Sequence, residues 1–207
     1  MFRKTTKDEF INQAKTQKNI AVFREVSGDQ LTPAGVFQTL SNGKGALLES
    51  GAEGENSRYS FLGFDPIIEF QAKGNQVQIK QGDQVESFEK DPFEALRETH
   101  EKFRCETHSM PSKFTGGGIG YVAYDAIRQV EKIPDRHSDP DHLPDLFFQF
   151  YRTTITFDHL QQKLFITVMA EVNGDPEESF YQAEKKLNEL VEKILNAPNA
   201  YSRTADC

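Results

Sequence analysis

Between residues 58 and 88 the chain offers one short β-like run after another, each closed by a turn signal. Tyr59-Ser60-Phe61-Leu62-Gly63-Phe64 ends at an Asp65-Pro66 break. Residues 67–71 and 76–80 flank Lys73-Gly74-Asn75, which reads as a hairpin turn. Gln81-Gly82-Asp83 then turns the chain into residues 85–88. Connections this short cannot hold a crossover helix, so parallel pairing is excluded and an antiparallel meander is required. A second β-rich group follows at 146–157 and 164–169, with a turn near 158–163. Strands grouped in this way, with helices between the groups, predict an α+β fold of packed antiparallel β-sheets with flanking helices, not βαβ units.

The helices announce their starts. Thr6 followed three residues later by Glu9 is a capping box, and a helix carrying Phe10, Ile11 and Ala14 should run to about Gln17. Thr32-Pro33, Asp91-Pro92 and Asp175-Pro176 each place a capping side chain before a proline, which suits the first helical position. Residues 19–26 read as a strand, and 46–50 as a short one ending in polar residues. Phe93, Leu96, His100 and Phe103 share one face of the third helix. Phe180, Ala183, Leu187, Leu190, Val191 and Ile194 form the apolar stripe of the last. Residues 134–144 are polar and proline-punctuated, as in a surface loop. One domain is expected over 1–196, with 197–207 a polar tail or the start of a linker.

Charge and hydropathy exclude several function classes. The net charge of -8 leaves no basic face for displacing counterions from nucleic acid. No apolar run approaches the roughly 20 residues that cross a bilayer, so no membrane partner is expected. The first residues lack the apolar core of a signal peptide, which makes the cytoplasm the expected compartment. Cys105 and Cys207 cannot build a disulfide framework or a zinc knuckle, and Cys105 reads as a small residue at a helix end.

The motifs that suggest chemistry divide unevenly. Gly116-Gly117-Gly118-Ile119-Gly120-Tyr121 lacks the Lys-Ser/Thr of a P-loop and puts Tyr121 where a dinucleotide fingerprint needs glycine. Its glycines read instead as a strand that bends or admits a close backbone. Asp135, His137, Asp139, Asp141, His142 and Asp145 could suggest a metal, but the spacing fits no EF-hand and Pro140 and Pro144 interrupt it. A solvated loop is the expectation, and no metal site. His100, His108 and His159 stand isolated, and no catalytic constellation is legible. Glu49-Ser50 differs: a carboxylate beside a hydroxyl offers complementary groups for the ammonium and carboxylate of an amino acid, although such a pair also occurs in ordinary turns. Arg58 and Asp125 stand equally between a ligand site and an internal ion pair.

Several stretches in order resemble one family. Asp29-Gln30-Leu31-Thr32-Pro33, Leu47-Leu48-Glu49-Ser50 and Ser57-Arg58-Tyr59-Ser60-Phe61-Leu62-Gly63 with Asp65-Pro66 are similar to the N-terminal domain of anthranilate synthase component I. The glycine-rich strand at 116–125, Glu131 after it, and Phe157-Asp158-His159 fit the same pattern, so the resemblance covers residues 5–195. It implies an α+β domain of an enzyme that makes anthranilate and pyruvate from chorismate, with ammonia from a glutamine amidotransferase subunit. It further implies that Mg²⁺ and chorismate bind in a C-terminal chorismate-binding domain, leaving no catalytic residue and no cofactor in this chain. By the same resemblance the Leu-Leu-Glu-Ser motif contributes to the site where L-tryptophan acts as feedback inhibitor. Carried over, that implicates Glu49 and Ser50, Leu48 as apolar wall, and Tyr59 and Ser60 from the adjacent motif. Two alternatives stay open, the same domain of aminodeoxychorismate synthase component I and a free-standing, non-enzymatic binding module.

Overall fold

The computed structural model describes residues 2–49, 58–105, 112, 114–132 and 142–196. These form two compact units. One comprises 1–65, 105–116 and 152–207, and the other 66–104 and 117–151. Each is built on an antiparallel five-stranded sheet, as the meander and the β-rich second half predict.

The first unit contains strands β1 (Asn19–Ser27), β2 (Gly45–Leu48), β3 (Tyr59–Phe64), β9 (Thr153–Asp158) and β10 (Lys163–Glu171), in the order β1-β10-β9-β3-β2. Three helices, α1 (Lys7–Gln13), α2 (Pro33–Leu40) and α4 (Pro176–Leu195), belong to it. One face of the sheet presents Ile20, Val22, Leu62, Ile155, Phe157 and Ile166 to these helices. The α4 stripe Phe180, Ala183, Leu187, Leu190 and Ile194 is buried there, while Val191 is only partly covered. Phe10 of α1 meets Phe180 with ring centroids 5.5 Å apart. The opposite face is also buried and mixes threonines with Ala21, Phe23, Phe165 and Met169. Thr154, Thr156 and Thr167 are at most 1 % exposed. Their hydroxyls need partners, and Thr156 finds Ser112 Oγ at 2.7 Å while Thr154 donates to the Phe114 carbonyl. The alternation in Thr-Thr-Ile-Thr-Phe-Asp therefore records two buried faces of different chemistry.

The second unit orders its strands β6-β5-β4-β8-β7. They are β4 (Ile68–Lys73), β5 (Gln76–Gln81), β6 (Gln84–Glu89), β7 (Gly117–Val122) and β8 (Leu146–Tyr151), with helix α3 (Pro92–Glu101) and a 3-10 helix at Tyr124–Gln129. The β-rich run 146–157 is thus divided at Arg152 between the two sheets. Alternation alone cannot reveal that break, because neither Gly nor Pro marks it.

Two further expectations change. The helix expected to reach Gln17 ends at Gln13, where Lys15 N–H bonds the Asn12 carbonyl and tightens the last turn. The glycine-rich segment does form a strand, β7, and a 3-10 helix follows it from Tyr124. Of the face expected to carry Phe93, Leu96, His100 and Phe103, Phe103 is buried and stacks on Phe150, whereas Phe93 and His100 are exposed and Leu96 is half-buried. Pro92, Ala95 and Thr99 point inward, and small residues let the helix sit close to the sheet. All four helix starts behave as read, with the side chains of Thr6, Thr32, Asp91 and Asp175 accepting backbone N–H bonds.

The glycine cluster serves close approach. A Cβ on Gly120 would collide with the Phe147 carbonyl and lie 2.6 Å from Phe148 Cα across the β7–β8 ladder. Gly120→Ala should therefore push β7 off β8 and destabilise the chain by about 3 kcal/mol. Urea unfolding measures this, and a loss under about 0.5 kcal/mol, the level of an ordinary surface change, would contradict it.

Candidate functional site

The first unit gathers the sequence-selected residues at one end of its sheet, because β2 and β3 pair antiparallel. Leu48 lies opposite Phe61, so the end of β2 runs beside the start of β3, and Glu49 leaves the sheet at the end where Tyr59 and Ser60 enter it. Leu48 is half exposed. Glu49 is exposed and has no ion-pair partner among the described residues. Ser50 lies outside the described residues.

The same end receives β9. Tyr59 pairs with Asp158 and Ser60 with Phe157, which brings the Phe-Asp-His turn against the start of β3. Ser60 is 2 % exposed. Its hydroxyl lies 2.7 Å from His159 Nε2, so its own polar group is satisfied and it meets solvent only through the imidazole. His159, exposed, stacks on Phe157 at 6.1 Å.

Arg58 resolves the ambiguity left by the sequence. Its Nε donates to both Asp158 oxygens, at 3.1 and 3.2 Å, and Nη2 to Oδ2 at 2.6 Å. It is therefore an internal ion pair. Leu160 and Gln161 N–H groups also donate to Oδ1, each at 3.1 Å. Burial alone would raise the Asp158 carboxyl, but the Arg58 hydrogen bonds and the two backbone donors outweigh it and hold the group below its ordinary value. The Arg58 guanidinium also lies 4.9 Å from the centre of the half-buried Tyr59 ring. Tyr59 in turn stacks on Phe61 at 6.1 Å. Asp125 is exposed and accepts from Arg128 Nε at 3.3 Å, an i,i+3 surface pair.

A cleft of about 160 Å³ opens beside this cluster, lined by Gly28, Asp29, Leu31, Phe157, His159 and Gln162. It joins the Asp-Gln-Leu-Thr-Pro motif to the Phe-Asp-His motif, whose first residues, Asp29 and Phe157, are 128 positions apart in the chain. The cleft is smaller than the pockets that enclose a drug-sized ligand. Asp158 and His159 were missed as site residues because strand pairing, not spacing, brings them to Ser60. In the acidic stretch, Asp145 accepts from Gly74 N–H and pairs with Lys73 at 3.0 Å, a structural role, while 135–141 lie outside the described residues. Among the described residues no group of three or more His, Cys, Asp or Glu converges as a metal site would require. No described helix is long and apolar enough to cross a membrane.

The pair's pH dependence follows from its sign. A carboxyl held below its ordinary value adds stability above that value, near 4, and loses it as pH falls through the folded value. Asp158→Asn should lower the urea midpoint at pH 7 and flatten its decline between pH 5 and pH 2.5. Parallel declines in the two proteins would show that the pair contributes nothing.

Against known proteins, the family described as chorismate binding enzyme matches residues 44–206. Anthranilate synthase component 1 of Acetivibrio thermocellus is 33% identical over 195 residues, covering 92% of this chain and 39% of that protein. The Acinetobacter calcoaceticus protein of the same name is 36% identical over 190 residues, covering 86% of this chain and 37% of that protein. Aminodeoxychorismate synthase component 1 of Bacillus subtilis is 33% identical over 149 residues, covering 72% of this chain and 30% of that protein. The crystal structure of anthranilate synthase component I from Streptococcus pneumoniae TIGR4 matches with a TM-score of 0.50 and 29% identity, over 84% of this chain and 37% of that one. The chain spans under two fifths of the length of these relatives. With its two antiparallel sheets and ordered motifs, the chain belongs to the chorismate binding enzyme family, in the company of the anthranilate synthase component I proteins.

Proposed function

We propose that this chain is the N-terminal regulatory and scaffolding part of an anthranilate synthase component I. The whole protein then turns chorismate and ammonia, supplied by a glutamine amidotransferase subunit, into anthranilate and pyruvate in the cytoplasm. The observation that carries this reading is the alignment with an anthranilate synthase over 92% of the chain, against 72% for the aminodeoxychorismate synthase. The latter match keeps aminodeoxychorismate formation as the second reading. The product released from chorismate by the whole protein separates the two.

Catalysis and Mg²⁺ binding are assigned to the remainder of the relatives' length, since the described residues supply no converging metal donors. The chain mixed with chorismate, Mg²⁺ and ammonium should yield no fluorescent anthranilate. Its formation would overturn that division, and the family match at 44–206 makes the assay necessary.

The regulatory role is placed on Leu48, Glu49, Ser50, Tyr59 and Ser60. Glu49 offers a free carboxylate to the ammonium of L-tryptophan, and Leu48 an exposed apolar wall. Ser60 serves indirectly, holding His159 at the same sheet end. An inhibitor acts only through its differential affinity for two states, so contacts from a second domain that shifts are needed for coupling. In the whole protein, Ser50→Phe should raise the tryptophan concentration for half-inhibition at least about tenfold, the scale of ordinary allosteric coupling, with kcat kept. Unchanged sensitivity would remove Ser50 from the site.

A further inference from the structure

The second unit holds a cavity that the proposed regulatory site does not use. It measures about 260 Å³ and lies between α3 and the sheet. Its floor is Phe148 and Phe150, with Gly118 beside them. Its other wall is a single helical stripe of Phe93, Leu96, Arg97 and His100. These residues stand three and four apart, so they face the same way. This is the face of α3 that its sequence marks as apolar and that the fold leaves outside the core.

Two features distinguish the cavity from a packing gap. Gly118 keeps it open, since a Cβ there would come within 3.1 Å of the Phe150 ring and fill the space beside it. Arg97 has no ion-pair or hydrogen-bond partner among the described residues, although the chain carries eight more negative than positive charges. Arg97 and His100 are i,i+3 neighbours on the rim of an aromatic-floored cavity. A guanidinium presents a fork of donors that matches a carboxylate, and an imidazole keeps at least one N–H donor in either protonation state.

We infer that this cavity binds a one-ring aromatic or alicyclic monocarboxylate, the ring over Phe148 and Phe150 and the carboxylate held by Arg97 and His100. A volume under about 300 Å³ is below that of drug-sized pockets and limits the occupant to a single ring. The charge requirement excludes amines, and the apolar floor disfavours small carboxylates without a ring.

Benzoate is the probe, titrated into the chain and followed by amide and aromatic NMR. Shifts should concentrate at Phe93, Leu96, Arg97, His100 and Gly118, with a dissociation constant on the order of 1 mM, as expected for a fragment of this size. Benzyl alcohol and acetate should bind at least about tenfold more weakly, and benzylamine not at all. Arg97→Gln should weaken benzoate about tenfold or more, and Arg97→Lys less, while leaving resonances elsewhere in place because Arg97 is exposed. Absence of shifts at 20 mM benzoate, equal binding of benzoate and benzyl alcohol, or undiminished affinity in Arg97→Gln would each overturn the inference.

Discussion

The ladder between β3 and β9 is the interaction on which the first unit and its candidate site both depend. It joins Tyr59 to Asp158 and Gly63 to Thr154 across a long excursion of the chain. Closing a flexible loop of that length costs about 4 kcal/mol. The second unit removes much of that cost from inside. Its β4 and β8 pair antiparallel, with Ile67 N–H donating to the Phe150 carbonyl at 2.9 Å, which ties together two points inside that excursion. That pairing shortens the loop that the β3–β9 ladder has to close. The Arg58–Asp158 pair then fastens the end of the ladder from which the turn to β10 departs.

The same ladder explains how much could be read from the residues alone. Caps, turns and most strands were legible because they depend on near neighbours. Thr6 with Glu9, or Gly74 with its hairpin, is a local statement of preference. The division of 146–157 at Arg152 was not legible, since both halves are apolar and β-branched or aromatic, and only the choice of partner strand separates them. Nor was the inward face of α3. Phe93 and Leu96 advertise burial, yet Ala95 and Thr99 take the contact because the helix packs closest where its side chains are smallest.

For the candidate site the boundary is similar. Leu48, Glu49, Tyr59 and Ser60 could be selected from motifs, and strand pairing does bring them to one sheet end. Asp158 and His159 belong with them through a register that the sequence does not state. Arg58 illustrates the reason: its side chain has the chemistry of a ligand contact, and only the position of Asp158 makes it an internal pair.

What remains free at that end then defines the chemistry available to a ligand. Arg58, Asp158 and Ser60 are engaged within the protein, and they fix the positions of Tyr59 and His159. Glu49 stays unpaired among the described residues and reaches solvent beside Leu48. An exposed carboxylate gains little from a single ion pair in water, so in the proposed tryptophan site Glu49 alone would bind weakly. Its contribution grows when a second surface covers it, because lower dielectric strengthens the ammonium contact and also raises the cost of leaving the carboxylate unmet. A site of this form responds strongly to whether that surface is in place, which is the property an allosteric contact needs, and a preformed tight pocket lacks it.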